Sequence, residues 1–208
     1  MFKETLAQPT EQLWNLFLGS DIVAPQSGFY LAGGTSLALQ LGHRQSDDLD
    51  FFTQSEFLPD RITEQMQHLG TLSVTQEEPR TINAVLDNVK VSFLSYPYPL
   101  AFPFLVLDGL LLADERDIAA MKLSAIAGRG AKKDFFDVFF LLKKYSLAEI
   151  LGFFETMFID KQYNRLHILK SLVYFEDAEQ DPDPIMVIQI HWNEVKEYIA
   201  KEVNALEL

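Results

Sequence analysis

Gly33-Gly34-Thr35-Ser36, followed after one short helical pattern by Asp48-Leu49-Asp50, is the combination in this sequence best suited to chemistry. Two glycines ahead of a helix let a ligand approach the backbone closely, and the amides that open the helix attract an anion, with the helix dipole behind them. Phosphate is the natural guest. In Asp48-Leu49-Asp50-Phe51 the side chains alternate, so Leu49 and Phe51 turn to a core while the two carboxylates share the other face. Carboxylates held side by side repel unless a cation lies between them. Mg²⁺, a hard ion that prefers oxygen, suits such a pair and takes its other ligands from water and phosphate. Each piece alone is ordinary, since Gly-Gly-Thr is usually a turn with an N-cap hydroxyl and a lone D-x-D is usually a solvated strand end. Thirteen residues apart in a strand-turn-helix-strand frame, they read together as a site for a metal ion and phosphate.

Other candidates surround this pair. Arg44, with His43, lies in the loop before the D-x-D, where it could touch a nucleotide. Residues 116–144 hold seven basic residues against three acids, a stretch suited to phosphates or, more commonly, to a solvated helix face of alternating charge. Asp134 and Asp137 fall three apart on one helix face, and Asp134 could equally cap that helix. His68, His167 and His191 have no metal-ligand spacing, and the Phe-rich 135–140 segment and both tryptophans are expected in the core.

The elements that must position these groups can be read from periodicity. An opening helix over 10–19 puts Leu13, Leu16 and Phe17 with Trp14 on one stripe. Phe29 to Ala32 is a strand, Thr35 to Leu41 a helix ended by Gly42, Leu49 to Thr53 a strand and Pro59 to Leu69 a helix. Strands are expected at 71–75, 81–86 and 89–94, the last two joined by an Asp87-Asn88 hairpin turn. After the apolar 102–107 run the pattern is helical, over 117–127, 132–144, 147–158, 164–178 and 191–205, and the acidic 176–184 segment is expected as a solvated loop. The expectation is an α+β fold, with an α/β core over 1–100 and a helical C-terminal region over 101–208 packed on it.

Composition narrows the class. The 208 residues suffice for a sizeable core. A net charge of −13 disfavours broad, non-specific nucleic-acid binding. No apolar run approaches the roughly 20 residues that cross a bilayer. The absence of a signal-like N-terminus and of any cysteine fits a cytoplasmic protein, and excludes disulfides, thiolate metal sites and cysteine nucleophiles.

The run from Leu31 to Phe52, LAGGTSLALQLGHRQSDDLDFF, resembles the signature of the AbiEii/AbiGii-type nucleotidyltransferase toxins, within the DNA polymerase β-like nucleotidyltransferase superfamily. A second block, Met121 to Ile126 with Arg129-Gly130 and Lys132 to Asp137, is similar to that family's downstream lysine and its Arg/Lys-Asp-x-x-Asp motif. The resemblance implies a minimal nucleotidyltransferase mixed sheet with flanking helices, and Mg²⁺-dependent transfer of a nucleoside monophosphate from an NTP to an acceptor. The acceptor it implies is the 3′ end of tRNA, and the setting a toxin-antitoxin or phage-defence pair with an antitoxin partner. Carried over residue by residue, Gly33, Gly34 and Thr35 hold the triphosphate, with Ser36 beside them; Asp48 and Asp50 bind metal; Lys122 meets a phosphate; and Asp134 with Asp137 completes the distal motif.

The chain departs from the superfamily pattern at one place. A third carboxylate is expected on a later strand beside the D-x-D, and in Val89 to Leu94 the position on the polar face is Ser92. A neutral hydroxyl is a poor general base at neutral pH. Asp87, at the hairpin turn, is the alternative acid. The competing expectation is a binding module of the same fold that keeps nucleotide or a protein partner without efficient turnover.

Overall fold

Residues 1–206 are described by the structure, a computed structural model. The N-terminal elements are α1 (Gln8–Leu18), β1 (Tyr30–Leu31), α2 (Gly33–Leu41), β2 (Leu49–Thr53) and α3 (Pro59–Gln67). Strands β3 (Leu72–Glu78), β4 (Thr81–Leu86), β5 (Val89–Ser95), β6 (Leu105–Leu107) and β7 (Leu110–Leu112) follow. The chain ends in helices α4 (Glu115–Gly128), α5 (Lys132–Leu142), α6 (Leu147–Met157), α7 (Arg165–Leu172) and α8 (Trp192–Asn204).

The strands form one seven-stranded sheet in the order β3-β4-β5-β2-β1-β7-β6. Pairs β2/β5 and β1/β7 are parallel and the others antiparallel, so the sheet is mixed and the fold is α+β as expected. Alternation along β2 decides which way the acids point. Leu49 and Phe51 are buried with Val91 and Phe93 of β5 in a core shared with Leu13, Trp14 and Phe17 of α1 and Ile62 and Met66 of α3. Asp50 and Phe52 therefore turn to the opposite face, where α4 to α8 build a second core. Asp50 is thereby sandwiched between a sheet and a helical layer.

Several boundaries differ from the sequence expectations for identifiable reasons. On α1 the buried positions are Thr10, Leu13, Trp14 and Phe17, whereas Leu16 is exposed. The 102–107 run is part of a hairpin, because Asp108 and Gly109 both take positive φ (53° and 93°) and form the two-residue turn that joins β6 to β7. Helix α7 stops at Leu172 and not at Ala178, as Phe175 swings out to pack on Phe135 and Trp192 at ring distances of 5.2 and 5.7 Å. The acidic segment is largely exposed, as a solvated loop would be, but it is tethered at two points. Asp181 accepts the Lys132 amide at 2.9 Å at the start of α5, where the helix dipole favours a carboxylate, and Asp183 pairs with Lys132 Nζ at 3.1 Å. The Asp87-Asn88 hairpin turn forms as expected, both residues with positive φ. Among the described residues no helix is long and apolar enough to cross a membrane.

Candidate active site

Helix α2 begins at Gly33, two residues earlier than the pattern predicts, so both glycines lie in its first turn. They answer two different neighbours. Gly33 has φ +67°, and a Cβ there would come within 3.0 Å of Asp50 Oδ2. At Gly34 a Cβ would collide with the Arg44 guanidinium. No side chain caps α2, which leaves its first-turn amides open where Gly33 and Gly34 line a cavity. Thr35 and Ser36 are buried behind them. Thr35 Oγ1 donates to the Asp48 carbonyl and lies 2.8 Å from Ser46 Oγ, tying the helix to the strand that carries the acids, while Ser36 Oγ accepts from Gln40 at 3.2 Å.

The cavity, of about 550 Å³, lies between the sheet and α4. Asp50 lines it together with Ser92 and Asn83, because the register pairs Asp50 with Ser92 across β2/β5 and Ser92 with Asn83 across β5/β4. Val89, Val91 and Phe93 are buried on the other side of β5, so the polar face is the one read from the sequence. Burial raises the Asp50 pKa, Asp48 adds to the rise, and a hydrogen bond from the Ser92 hydroxyl only partly offsets it. Asp87 is held at the hairpin end of the sheet, where it accepts the Thr71 amide at 2.8 Å.

Beside the cavity is a buried ionic brace. Arg44 grips Asp137 through two parallel hydrogen bonds, Nε to Oδ1 at 2.7 Å and Nη2 to Oδ2 at 2.9 Å. His43 Nε2 meets the same carboxylate at 2.7 Å. Lys122 Nζ lies 2.6 Å from Asp134 and 2.6 Å from Asp137. Burial alone lowers the Lys122 pKa, but Asp137 and Asp134 outweigh it and raise the pKa above the ordinary lysine value. Burial likewise pushes Asp137 up, yet Arg44 and Lys122 hold its carboxyl well below the ordinary range. Asp134 is lowered against burial by Lys122 and Arg129. Of the residues singled out by sequence, then, Gly33, Gly34, Asp50 and Lys122 line one cavity, while the charges of Arg44, Lys122, Asp134 and Asp137 are spent on one another.

Two cations of the second family-like block, Arg129 and Lys133, face this cavity although the sequence assigns neither a role. Arg129 is 64% exposed, with Nε held by Asp134 at 3.2 Å, and Lys133 is 47% exposed, 3.3 Å from Asp48. Their signal was the local excess of positive charge; periodicity could not separate them from Lys122. Asp48 borders a neighbouring cavity of about 470 Å³ shared with Arg44 and Lys90, and Lys133, its partner, lines both cavities. Among the described residues no cluster of three or more carboxylates or histidines is arranged to hold a metal.

The chain is 41% identical over 184 residues to an uncharacterised protein of Aquifex aeolicus, covering 84% of this chain and 86% of that one. Among solved structures it is similar to the nucleotidyltransferase toxin MenT4 of Mycobacterium tuberculosis, with a TM-score of 0.60 and 16% identity over 97% of this chain and 87% of the other. JHP933 of Helicobacter pylori is similar at a TM-score of 0.56 and 17% identity, covering 96% and 92% of the two chains. At these identities the likeness to the solved structures is one of fold. The family described as nucleotidyl transferase AbiEii toxins of type IV toxin-antitoxin systems matches residues 17–205, and the chain belongs to it.

Proposed function

We propose that this protein moves a nucleoside monophosphate from an NTP to an acceptor hydroxyl, using Mg²⁺ held by Asp48 and Asp50. The observation that carries the reading is Asp50, a recessed carboxylate on the cavity wall, beside the open amides of α2 and opposite Arg129 and Lys133. The donors fit the ion. Two carboxylates with the Ser92 hydroxyl are hard oxygen ligands, and a site short of three acids suits an ion that keeps water and phosphate in its shell. Asp48 and Asp50 would hold the ion, which would supply positive charge against the negative charge that develops during transfer.

The chain's own groups have separable tasks. The α2 amides of Gly33 and Gly34 bind phosphate oxygens. Arg129 and Lys133 add positive charge on the facing wall. Arg44, Lys122, Asp134 and Asp137 act as positioning residues, and the Thr35 hydroxyl fixes the backbone of Asp48. The acceptor is the tRNA 3′ end that the resemblance implies, and a cognate antitoxin is the partner. Ser92, in register with Asp50 where a third acid is expected, favours a second reading, in which nucleotide is held and turnover is slow.

Incubating the purified protein with each labelled NTP and total RNA, in Mg²⁺ and in EDTA, separates these. Mg²⁺-dependent label on tRNA is the expected result. Tight NTP binding without transfer selects the second reading, and absence of both overturns the nucleotide site.

A further inference from the structure

We infer that the far half of the cavity is a nucleobase subsite, with the base stacked on a Phe52–Tyr96 ledge beneath α4. This rests on the nucleotide reading of Asp50 and deepens it by locating the end of the substrate away from the phosphates.

The geometry comes from the strands. Asp50 and Phe52 are two residues apart on β2 and face the same side, as are Ser92, Leu94 and Tyr96 along and just past β5. Tyr96 stays in line, since its amide donates to the Thr53 carbonyl at 2.7 Å. One such step is roughly 7 Å, so the lining changes from carboxylate and hydroxyl to ring and methyl within about the length of a ribose. The two rings meet edge to face at 5.7 Å, Tyr30 backs Phe52 in a stacked arrangement at 6.1 Å, and both Phe52 and Tyr96 line the cavity.

The opposite wall supplies the room. Met121, Ser124, Ala125 and Gly128 recur at helical spacing on the face of α4 turned to the cavity, and three of the four are small. A Cβ built on Gly128 would meet nothing within 4 Å. A slot with an aromatic floor and a low ceiling accepts a flat, uncharged group. Any base has a π-face, so stacking alone is tolerant of base identity; discrimination falls to Ser124, the polar side chain that α4 presents to the slot.

The test compares Mg²⁺-dependent binding of the four NTPs with binding of inorganic tripolyphosphate, which has no base. Tyr96→Ala removes the ledge and Ala125→Leu fills the slot from the other side; the second variant keeps the test valid should the first disturb packing against Tyr98. Both are expected to weaken the NTPs by roughly ten- to a hundredfold, the worth of one aromatic–base stack, and to leave tripolyphosphate unchanged. Asp50→Asn is expected to abolish both. Equal loss of NTP and tripolyphosphate in the ledge variants, or unchanged NTP affinity in both, overturns the subsite while the nucleotide reading stands. Failure of the parent protein to bind any NTP removes that reading and the subsite with it.

Discussion

Asp48 and Asp50, before and on β2, and Asp134 and Asp137 on α5 are built from the same side chain and meet opposite surroundings. The helical pair is buried and saturated: Arg44, Lys122 and Arg129 reach it, and both pKa values are held down against burial. The strand pair borders open cavities. Asp48 shares one half-exposed lysine, and Asp50 has a hydroxyl for its nearest donor and a raised pKa. Burial penalises a carboxylate in both places, and only the helical pair has cations close enough to reverse the penalty. An acid that the fold has already neutralised stabilises structure; an acid left short of positive charge can bind a cation brought by a ligand.

The largest expected effect comes from breaking the saturated pair. Asp137→Asn leaves Arg44 and Lys122 buried with one carboxylate between them, and should cost about 3–5 kcal/mol in urea unfolding. A loss below about 1 kcal/mol would mean that the brace is not structural. Asp50→Asn should act in the reverse sense on stability. Removing a recessed charge whose nearby cations do not offset its burial raises the melting temperature, on the order of 2–4 °C, while Mg²⁺-dependent NTP binding disappears. Lower melting with intact binding would erase the contrast between the two pairs.

Acid titration sharpens it. Because Asp134 and Asp137 are lowered in the fold, the stability they contribute is complete above the ordinary carboxylate pKa of roughly 4 and is lost as pH falls through their folded values. Asp50 has the opposite sign: its raised pKa makes the ionised form a cost, which is relieved as pH falls through that value. The melting advantage of Asp50→Asn over the parent should therefore shrink on acidification, whereas the deficit of Asp137→Asn should shrink only at still lower pH. Parallel pH profiles for the two variants would contradict this assignment.

Smaller effects test the edges of the strand pair. Lys133→Met keeps the aliphatic stem and deletes the charge, so NTP binding should weaken at least about tenfold with stability changed by less than about 0.5 kcal/mol. Unchanged affinity would return Lys133 to the solvated surface. Ser92→Asp adds a third acid opposite Asp50, and should lower the melting temperature in EDTA and restore it in millimolar Mg²⁺. A change in melting that ignores Mg²⁺ would show that the new carboxylate does not share the ion.

Much of the strand pair was legible in the sequence, because the signals are local. Alternation over Leu49 to Phe51 gave the face of Asp50, and Val89, Val91 and Phe93 gave that of Ser92. The employment of Lys122 and Arg44 was not legible. Arg44 and Asp137 are 93 residues apart in the chain, and helical periodicity reports which face a residue occupies but not which distant charge it will meet. The same holds for the acidic 181–183 segment, whose docking depends on Lys132 at the start of a helix some fifty positions earlier. The β6–β7 turn is a different case: Asp108-Gly109 carried a standard two-residue hairpin signal, hidden within an apolar run broken only by that pair.

Gly34 has a consequence for how such a protein is inactivated under selection. Its hydrogen is the space in which the Arg44 guanidinium lies, so even an alanine there would displace the arginine from Asp137 and loosen the joint between α2 and α5. A population that survives by disabling this toxin can therefore do so in two ways that leave different traces in the cell. Changes at Asp50 would yield silent protein at full abundance, whereas changes at Gly34 or in the ion pairs behind it would yield protein that is cleared by proteolysis. Counting survivors by immunoblot would reveal how much of the mutational target is scaffold.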